Sequence, residues 1–147
     1  MKLLVQRVLE ANVSVNKEIV GQIKQGLLVF LGVEKGDTTA QADYLANKLV
    51  NLRIFEDENG KMNLSPDKIG ADLLIISQFT LFADCRSRRP GFSLAARPET
   101  AIPLYEQVIR ECRERGFHVE TGVFAAEMKV DSENDGPVTI LLDTNEL

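Results

Sequence analysis

The sequence predicts an α+β domain in which a mainly antiparallel β-sheet packs with two helices. Three observations lead to this fold class. The first third of the chain alternates apolar and polar residues as half-buried strands do, two later segments carry apolar residues at helical spacing, and further strand-like runs close the chain. At 147 residues, with no internal repeat and no linker, the chain has the length of one domain, residues 1–147.

The first strands are predicted between residues 2 and 33. Lys2 to Leu9 is apolar with polar interruptions, Glu10-Ala11-Asn12 is a candidate tight connection, and residues 13–19 alternate in the manner of a strand. A second turn is predicted at Gly21, followed by a strand from Gln22 to Val33. The pattern therefore indicates short strands joined by tight turns.

Two helices are predicted from apolar residues that recur every three or four positions. The first runs from about Thr39 to Asn51, and residues 36–39 before it have the side chains of a helix N-cap. The second runs from about Glu99 to Arg115, with Gly116 as its C-terminal cap. Pro103 is compatible with this helix because it lies close to the first turn.

Turns and strands fill the rest of the chain. Residues 57–61 form a turn by composition, and Ala71 to Phe82 contains the apolar run of a central strand. Arg86 to Pro98 is a basic loop with Pro and Gly breakers. The last two strands are predicted around His118 to Ala125 and Pro137 to Asp143.

Composition excludes several classes of protein. No apolar run approaches the roughly 18 residues of a membrane span, and the N-terminal residues lack a signal-peptide h-region, so a cytoplasmic protein is expected. Cys85 and Cys112 are expected to be reduced thiols. His118 is the single histidine, so the chain has few ligands for a zinc site and few bases for a Ser-His or Cys-His triad. Neither a metal nor a cofactor is expected.

The charge balance bears on nucleic-acid binding. A formal net charge of −5 argues against such a partner, because phosphate binding usually leaves a basic footprint. The acidity is concentrated in residues 118–147, which hold seven acidic residues and one basic residue, whereas the rest of the chain holds 16 basic and 15 acidic residues. A local basic surface for RNA is therefore compatible with the acidic total.

The first candidate for chemistry is Ser77-Gln78-Phe79-Thr80, which ends the apolar run of the central strand. In a regular strand, Ser77 and Phe79 face one side while Gln78 and Thr80 face the other. A strand end that becomes polar where it meets solvent explains the residues by spacing alone. The functional alternative is the rim of a pocket, where hydroxyls, an amide and backbone N–H groups bind a carbonyl or an oxyanion.

The second candidate is the segment from Asn134 to Thr139. Asp-Gly-Pro between two extended segments is normally a turn. A cis bond between Gly136 and Pro137 would instead present two carbonyls side by side, with no glycine side chain beside them. Such an arrangement could crowd one face of a ligand's α-carbon.

The third candidate is the basic loop with Arg86, Arg88 and Arg89, and Arg97 beyond it. A run of charge is usually a solvated surface. Arginine rather than lysine favours phosphate binding as the alternative, because the planar guanidinium matches phosphate geometry.

In combination, these residues resemble the D-aminoacyl-tRNA deacylase family. Ser77-Gln78-Phe79-Thr80 matches the family's SQFT box, and the segment from Asn134 to Thr139 matches its NxGPxT box. The context from Gln6-Arg7-Val8 to Arg89-Pro90-Gly91-Phe92 agrees as well, so the resemblance covers essentially the whole chain.

This resemblance implies a homodimeric, β-barrel-like hydrolase whose partner is tRNA. The enzyme would cleave the ester that links a D-amino acid, or glycine mischarged on tRNA(Ala), to the terminal adenosine. Gly136 and Pro137 would reach into the partner subunit's site and exclude L side chains sterically. Arg7 would hold this dipeptide, and Met128 would line the pocket near Phe79.

The implied mechanism is assisted by the substrate. The sequence offers no convincing general base near either box, and the hydroxyl of Thr80 is a weak nucleophile without one. The terminal 2′-hydroxyl of tRNA would help to activate water, while backbone N–H groups of Phe79 and Thr80 hold the carbonyl oxygen and Gln78 positions the substrate. Arg86, Arg88 and Arg89 would contact tRNA.

Two other classes of function stay open from the sequence. A non-catalytic tRNA- or RNA-binding β module would keep the arginine loop but would have no use for a polar box at a buried strand end. An esterase of a small acylated metabolite would keep the pocket but would not need the arginines.

Overall fold

The computed structural model describes residues 1–147 and places two helices against a six-stranded mixed sheet. The strands are β1 (Lys2–Val15), β2 (Glu18–Ile23), β3 (Gly26–Gly32), β4 (Phe55–Glu56), β5 (Met62–Leu64), β6 (Asp72–Ser77), β7 (Val119–Thr121) and β8 (Lys129–Asp143). The helices are α1 (Thr39–Val50) and α2 (Pro98–Glu114), and two 3₁₀ turns cover Pro66–Ile69 and Phe79–Phe82. Neither helix is long and apolar enough to cross a membrane.

The long strand β1 organises the sheet. Its first half pairs with β3, its second half pairs with β2, and β8 pairs along nearly all of its other edge, in each case antiparallel. The pairs β3–β6 and β6–β7 are parallel, while β4 and β5 form a separate hairpin. The α+β class with two helices is thus confirmed, and its sheet is mixed.

The sheet curls until β2 approaches β7, which makes it nearly a closed barrel. At this seam the backbone of Gly21 lies so near β7 that a Cβ atom there would sit 2.5 Å from the carbonyl oxygen of Thr121. The predicted turn at Gly21 is therefore wrong, because this glycine lies within β2 and permits a close approach between strands.

Apolar side chains fill both faces of the sheet. The larger core lies between the sheet and the inner faces of α1 and α2, and includes Leu45, Leu49 and Val108. The smaller core lies on the opposite face and includes Val13, Leu28 and Leu74. The curled sheet thus carries one core beneath the helices and a second core inside the barrel.

Both helices begin and end within a residue of their predicted limits. Thr38 caps α1 with a capping box, in which its side chain accepts from the first turn and Gln41 reaches back to the Thr38 N–H at 2.7 Å. The helix α2 begins with Pro98 in its first position, where no N–H is needed.

The predicted connection at Glu10-Ala11-Asn12 is wrong, because β1 continues through these residues. Ala11 is buried and pairs with Ile23 on one side and Ser132 on the other. The chain turns instead at Asn16 and Lys17, both with positive φ. Pairing on both sides keeps residues 10–12 extended. The predicted strand from Gln22 to Val33 is also divided, because residues 24 and 25 separate β2 from β3.

The final strands also differ from their predicted limits. β7 is only three residues long, and β8 begins at Lys129 rather than at Pro137. The first half of β8 is polar and exposed, and two irregularities interrupt its pairing with β1. The alternation that reveals a half-buried strand is therefore missing from this part of the sequence.

Candidate active site

The Ser77–Thr80 segment lies where the central strand β6 ends and a 3₁₀ turn begins. The N–H of Gln78 donates to the Leu31 carbonyl oxygen at 2.7 Å, after which residues 79–82 leave the sheet. The strand therefore does not stay regular beyond Ser77, and the alternation expected of a regular strand does not extend over the four side chains. Ser77, Gln78 and Phe79 instead share one cavity, and Thr80 lies outside its lining.

This cavity has a volume of about 650 Å³, within the range of small-molecule sites. The end of β6, the segments before α2 and the segment before β8 supply its walls. Met128 lines it together with Phe79, as the family resemblance implies. The remaining lining residues are Val33, Lys35, Ile76, Phe92, Ala95, Ala96, Arg97, Pro98, Ala101, Phe124, Ala125, Ala126 and Val130.

An aromatic pair forms the outer wall of the cavity. The rings of Phe79 and Phe92 meet edge to face with centroids 5.1 Å apart, and the two residues are 54% and 39% exposed. Exposed aromatic faces at the mouth of a pocket can stack on a nucleobase.

The cavity has no carboxylate or imidazole that could act as a general base. Lys35 and Arg97 are its only charged lining residues, and no carboxylate, imidazole, thiol or phenol lines it. His118 lies just before β7, where Nε2 is 3.3 Å from a carboxylate oxygen of Glu120. Burial raises the pKa of the Cys112 thiol to about 12, so this thiol stays protonated near neutral pH.

The hydroxyl of Thr80 accepts a hydrogen bond from Nε2 of Gln78. Thr80 is exposed and is not part of the cavity wall. A nucleophilic hydroxyl needs a base that accepts its proton, and an amide N–H cannot do so.

Arg7 is the only charged residue that is buried as a whole, with 4% exposure. Its Nε donates to the carbonyl oxygen of Asp135 at 3.0 Å, and its Nη1 donates to that of Ile54 at 2.7 Å. The carboxylates of Asp135 and Glu56 lie 3.5 and 3.9 Å from the guanidinium. Arg7 thus joins the residue before Gly136 to the loop that precedes β4.

The Gly136–Pro137 bond is cis, and Gly136 has a φ of +138°. Asn134 brackets the dipeptide, since its side chain accepts from the Val138 N–H at 2.7 Å and donates to the Val138 carbonyl oxygen at 3.2 Å. Gly136 and Pro137 are both exposed. The dipeptide therefore projects from β8 into solvent, while the backbone on either side of it is held by the Asn134 side chain.

Within one chain, the Gly136–Pro137 dipeptide lies far from the cavity. Arg7, beside it, is in register with Leu27 of β3 and through it with Leu73 of β6, four residues before Ser77. That offset is roughly 13 Å along the strands, and three strand spacings add roughly 14 Å across the sheet. Neither Gly136 nor Pro137 lines the cavity.

The arginine loop contains one paired and two unpaired guanidinium groups. Arg86 binds the carboxylate of Asp84 at 2.6 Å, which lowers the pKa of Asp84 and raises that of Arg86. Arg88 and Arg89 are exposed and form no ion pair. These two arginines are the ones free to meet phosphate.

Lys35, Phe92 and residues 124–126 also line the cavity, although no sequence motif marks them as part of the site. Lys35 reaches the cavity because residues 33–35 run beside residues 94–96, with the Lys35 N–H donating to the Leu94 carbonyl oxygen at 2.9 Å. Lys35 and Leu94 are 59 positions apart in the sequence, and no local pattern reveals their pairing.

Comparisons with known proteins agree with the resemblance of the two boxes. A family model described as D-Tyr-tRNA(Tyr) deacylase matches residues 4–143. A protein from Clostridioides difficile (strain 630), named D-aminoacyl-tRNA deacylase, is 56% identical over 146 residues, which cover 99% of this chain and 98% of that protein. A protein of the same name from Thermosipho melanesiensis is 57% identical over 149 residues and covers 100% and 99%.

Solved structures share the fold. The structure titled c-Myc DNA Unwinding Element Binding Protein has a TM-score of 0.93 and 38% identity, and covers 98% of this chain and 99% of its own. A probable eukaryotic D-amino acid tRNA deacylase has a TM-score of 0.81 at 16% identity, with coverage of 96% and 97%, which supports the fold alone. With the family model spanning nearly the whole length and relatives above half identity, the chain belongs to the D-Tyr-tRNA(Tyr) deacylase family.

Proposed function

We propose that this protein hydrolyses the ester bond of D-aminoacyl-tRNA, including glycine mischarged on tRNA(Ala), and releases the free amino acid and tRNA. Its family membership and the names of its relatives support this activity. The enzyme would act in the cytoplasm as a proofreader of translation, because charged tRNA is the substrate.

The observation that carries the proposal is a cavity with Ser77, Gln78 and Phe79 of the SQFT box on its wall and no carboxylate, imidazole, thiol or phenol in its lining. A non-catalytic RNA-binding module would need no such cavity at a strand end. An esterase of a small metabolite would need a base from its own chain. A tRNA ester brings a hydroxyl next to the scissile bond, so a cavity without a carboxylate or imidazole base suits this substrate best.

The proposed chemistry divides the work between substrate and backbone. Water adds to the ester carbonyl carbon, and its proton passes through the terminal 2′-hydroxyl to the departing 3′-oxygen as the ester bond breaks. The N–H groups of Phe79 and Thr80 begin a 3₁₀ turn and so have no partner within that turn. Phe79 lines the cavity, so its N–H would hold the oxyanion, with the Thr80 N–H next to it in the chain. Gln78 positions the substrate from the cavity wall.

We also propose that the active enzyme is a homodimer and that Gly136 and Pro137 enter the partner subunit's cavity. The dipeptide is exposed, is held by Asn134 and Arg7, and lies far from the cavity of its own chain. Carbonyl groups set against the substrate's α-carbon would leave room for hydrogen or a D side chain but not for an L side chain. Arg88 and Arg89, with Arg86, would contact the tRNA backbone.

The decisive experiment compares D-Tyr-tRNA with L-Tyr-tRNA as substrates. We expect kcat/KM for the D ester to exceed that for the L ester by at least about 100-fold, since a steric clash of roughly 3 kcal/mol suffices for that ratio. Binding of both charged tRNAs without hydrolysis would instead indicate an RNA-binding module. Equal hydrolysis of both, and of small acyl esters, would indicate a general esterase.

A Thr80→Val variant is expected to keep deacylase activity within about tenfold of the native protein, because valine preserves the side-chain shape and the lost hydroxyl binds only Gln78. Initial rates on D-Tyr-tRNA at saturating and limiting substrate test this expectation. A loss beyond about 1,000-fold, in a variant with unchanged circular dichroism and melting temperature, would restore Thr80 as the nucleophile.

A further inference from the structure

The rim of the cavity carries two cations that the proposed hydrolysis does not use. Lys35 and Arg97 are the only charged residues in the lining, in a protein with a formal net charge of −5. The cavity is therefore a locally positive region in an acidic molecule. Such a region concentrates anionic ligands at its mouth.

The two cations are held on neighbouring pieces of backbone. The N–H of Ala96 donates to the Val33 carbonyl oxygen and the N–H of Lys35 donates to the Leu94 carbonyl oxygen, both at 2.9 Å. These bonds place Lys35 and Arg97 on adjoining segments at the same edge of the cavity. Both side chains are exposed, so they are free to move toward a ligand.

Neither cation is committed to a strong internal partner. Lys35 takes part in no ion pair, and the single pair of Arg97 joins its Nε to Glu99 at 3.6 Å, with both side chains at least 74% exposed. An exposed pair of this kind contributes little and yields readily to a better anion. Arg97 also precedes the first turn of the 17-residue helix α2, whose dipole adds positive potential at this edge.

The shape of the cavity indicates which part of a ligand would meet these charges. A largely apolar space with the Phe79–Phe92 pair at its wall suits a nucleoside and its acyl group, and neither carries negative charge. The negative charge of an aminoacylated RNA end lies on the phosphate attached to that nucleoside. The apolar cavity therefore suits the nucleoside and its acyl group, and the cations at its edge suit the phosphate.

We propose that Lys35 and Arg97 form a phosphate-binding edge that grips the phosphodiester on the 5′ side of the terminal nucleoside. The inference rests on the proposed deacylase function and deepens it, because it assigns binding energy to the nucleotide end rather than to the tRNA body. The two side chains are binding residues that anchor the ester's nucleoside, while the SQFT box acts on its carbonyl.

The test compares two small esters that differ by a cytidylyl group joined through a phosphodiester on the 5′ side of the adenosine. One is D-tyrosyl-adenosine, and the other is the same ester on the dinucleotide cytidylyl-adenosine. We expect the native protein to prefer the dinucleotide ester by about tenfold in kcat/KM, mainly through KM, as a charge-assisted contact allows. In the Lys35→Ala/Arg97→Ala double variant this preference should shrink to about twofold or less. The salt dependence of log KM for the dinucleotide ester should also become weaker, because the screened charge contact is lost.

A matched control removes the same charge elsewhere. Lys24 and Arg110 are exposed residues outside the cavity lining, and the Lys24→Ala/Arg110→Ala variant should keep the native preference for the dinucleotide ester. Loss of the preference in this control as well would assign the effect to net charge and would overturn the proposed edge.

Binding measurements separate this inference from the proposed reaction. Isothermal titration should show adenosine 5′-monophosphate binding more tightly than adenosine to the native protein, with the difference absent in the Lys35→Ala/Arg97→Ala variant. Equal binding of the two ligands by the native protein would overturn the phosphate edge even if D-aminoacyl-tRNA is hydrolysed. A native protein that prefers the monophosphate but cleaves no ester would keep the edge and reject the deacylase function.

Discussion

An Arg7→Ala variant is expected to lose about 3–4 kcal/mol of unfolding free energy, the largest stability effect among the changes considered. The substitution removes a buried guanidinium that holds two carbonyl oxygens, and leaves those oxygens without a donor in a site with little water access. For a domain of this size the melting temperature should fall by roughly 10 °C. Urea unfolding and calorimetry measure the two quantities.

An exposed arginine provides the control for this loss. Arg53 also binds a neighbouring carbonyl oxygen, that of Asn63 at 3.0 Å, but it lies at the surface. Arg53→Ala should therefore cost less than about 1 kcal/mol. An Arg7→Lys variant should fall between the two, because one ammonium cannot reproduce the two-pronged geometry. Equal losses for Arg7→Ala and Arg53→Ala would contradict a special role for the buried guanidinium.

Replacing Gly136 with alanine is expected to lower kcat/KM for D-aminoacyl-tRNA by about 100-fold, as a misplacement near 1 Å can do. The residue has a φ of +138°, which L side chains rarely adopt. A Cβ atom there would lie 2.7 Å from Cγ2 of Val138 and 3.2 Å from Nη2 of Arg7. The dipeptide must therefore shift from its position above Arg7.

Gly60 is the matched control for this prediction. Its φ is also positive, at +73°, and a Cβ atom there would meet nothing within 4 Å. Gly60→Ala should cost about 1 kcal/mol of stability and leave kcat/KM unchanged. If Gly136→Ala keeps native activity and still spares L-aminoacyl-tRNA, the dipeptide does not belong to the site.

The helices and the two boxes could be predicted from sequence because their signals are local. The apolar spacing of α1 and α2, the cap at Thr38 and the proline that opens α2 all act within a turn of the helix. The sequence does not reveal which strands pair, and it is this pairing that keeps β1 extended through residues 10–12. At Ala11 two neighbouring strands keep polar residues extended where composition alone favours a turn.

The sequence predicted the polar residues at the end of β6, but it did not predict the other residues that line the cavity. Ser77 ends β6 as the apolar run predicts, but the 3₁₀ turn that follows separates Thr80 from the cavity. Lys35 and Phe92 enter the lining through contacts between segments distant in the sequence. Such contacts depend on how the whole sheet curls, and single-sequence periodicity contains no information about that.

The seam at Gly21 has a consequence for colloidal behaviour. Open strand edges recruit strands from other molecules and so initiate aggregates. Here the edges of β2 and β7 cover each other, and the Gln22 N–H donates to the Glu120 side chain at 3.3 Å instead of to a foreign carbonyl oxygen. The long edge left open is that of β8, where the exposed carboxylates of Asp131 and Glu133 repel an identical strand laid alongside. The protein should therefore stay dispersed at concentrations at which a flat sheet of the same size would precipitate.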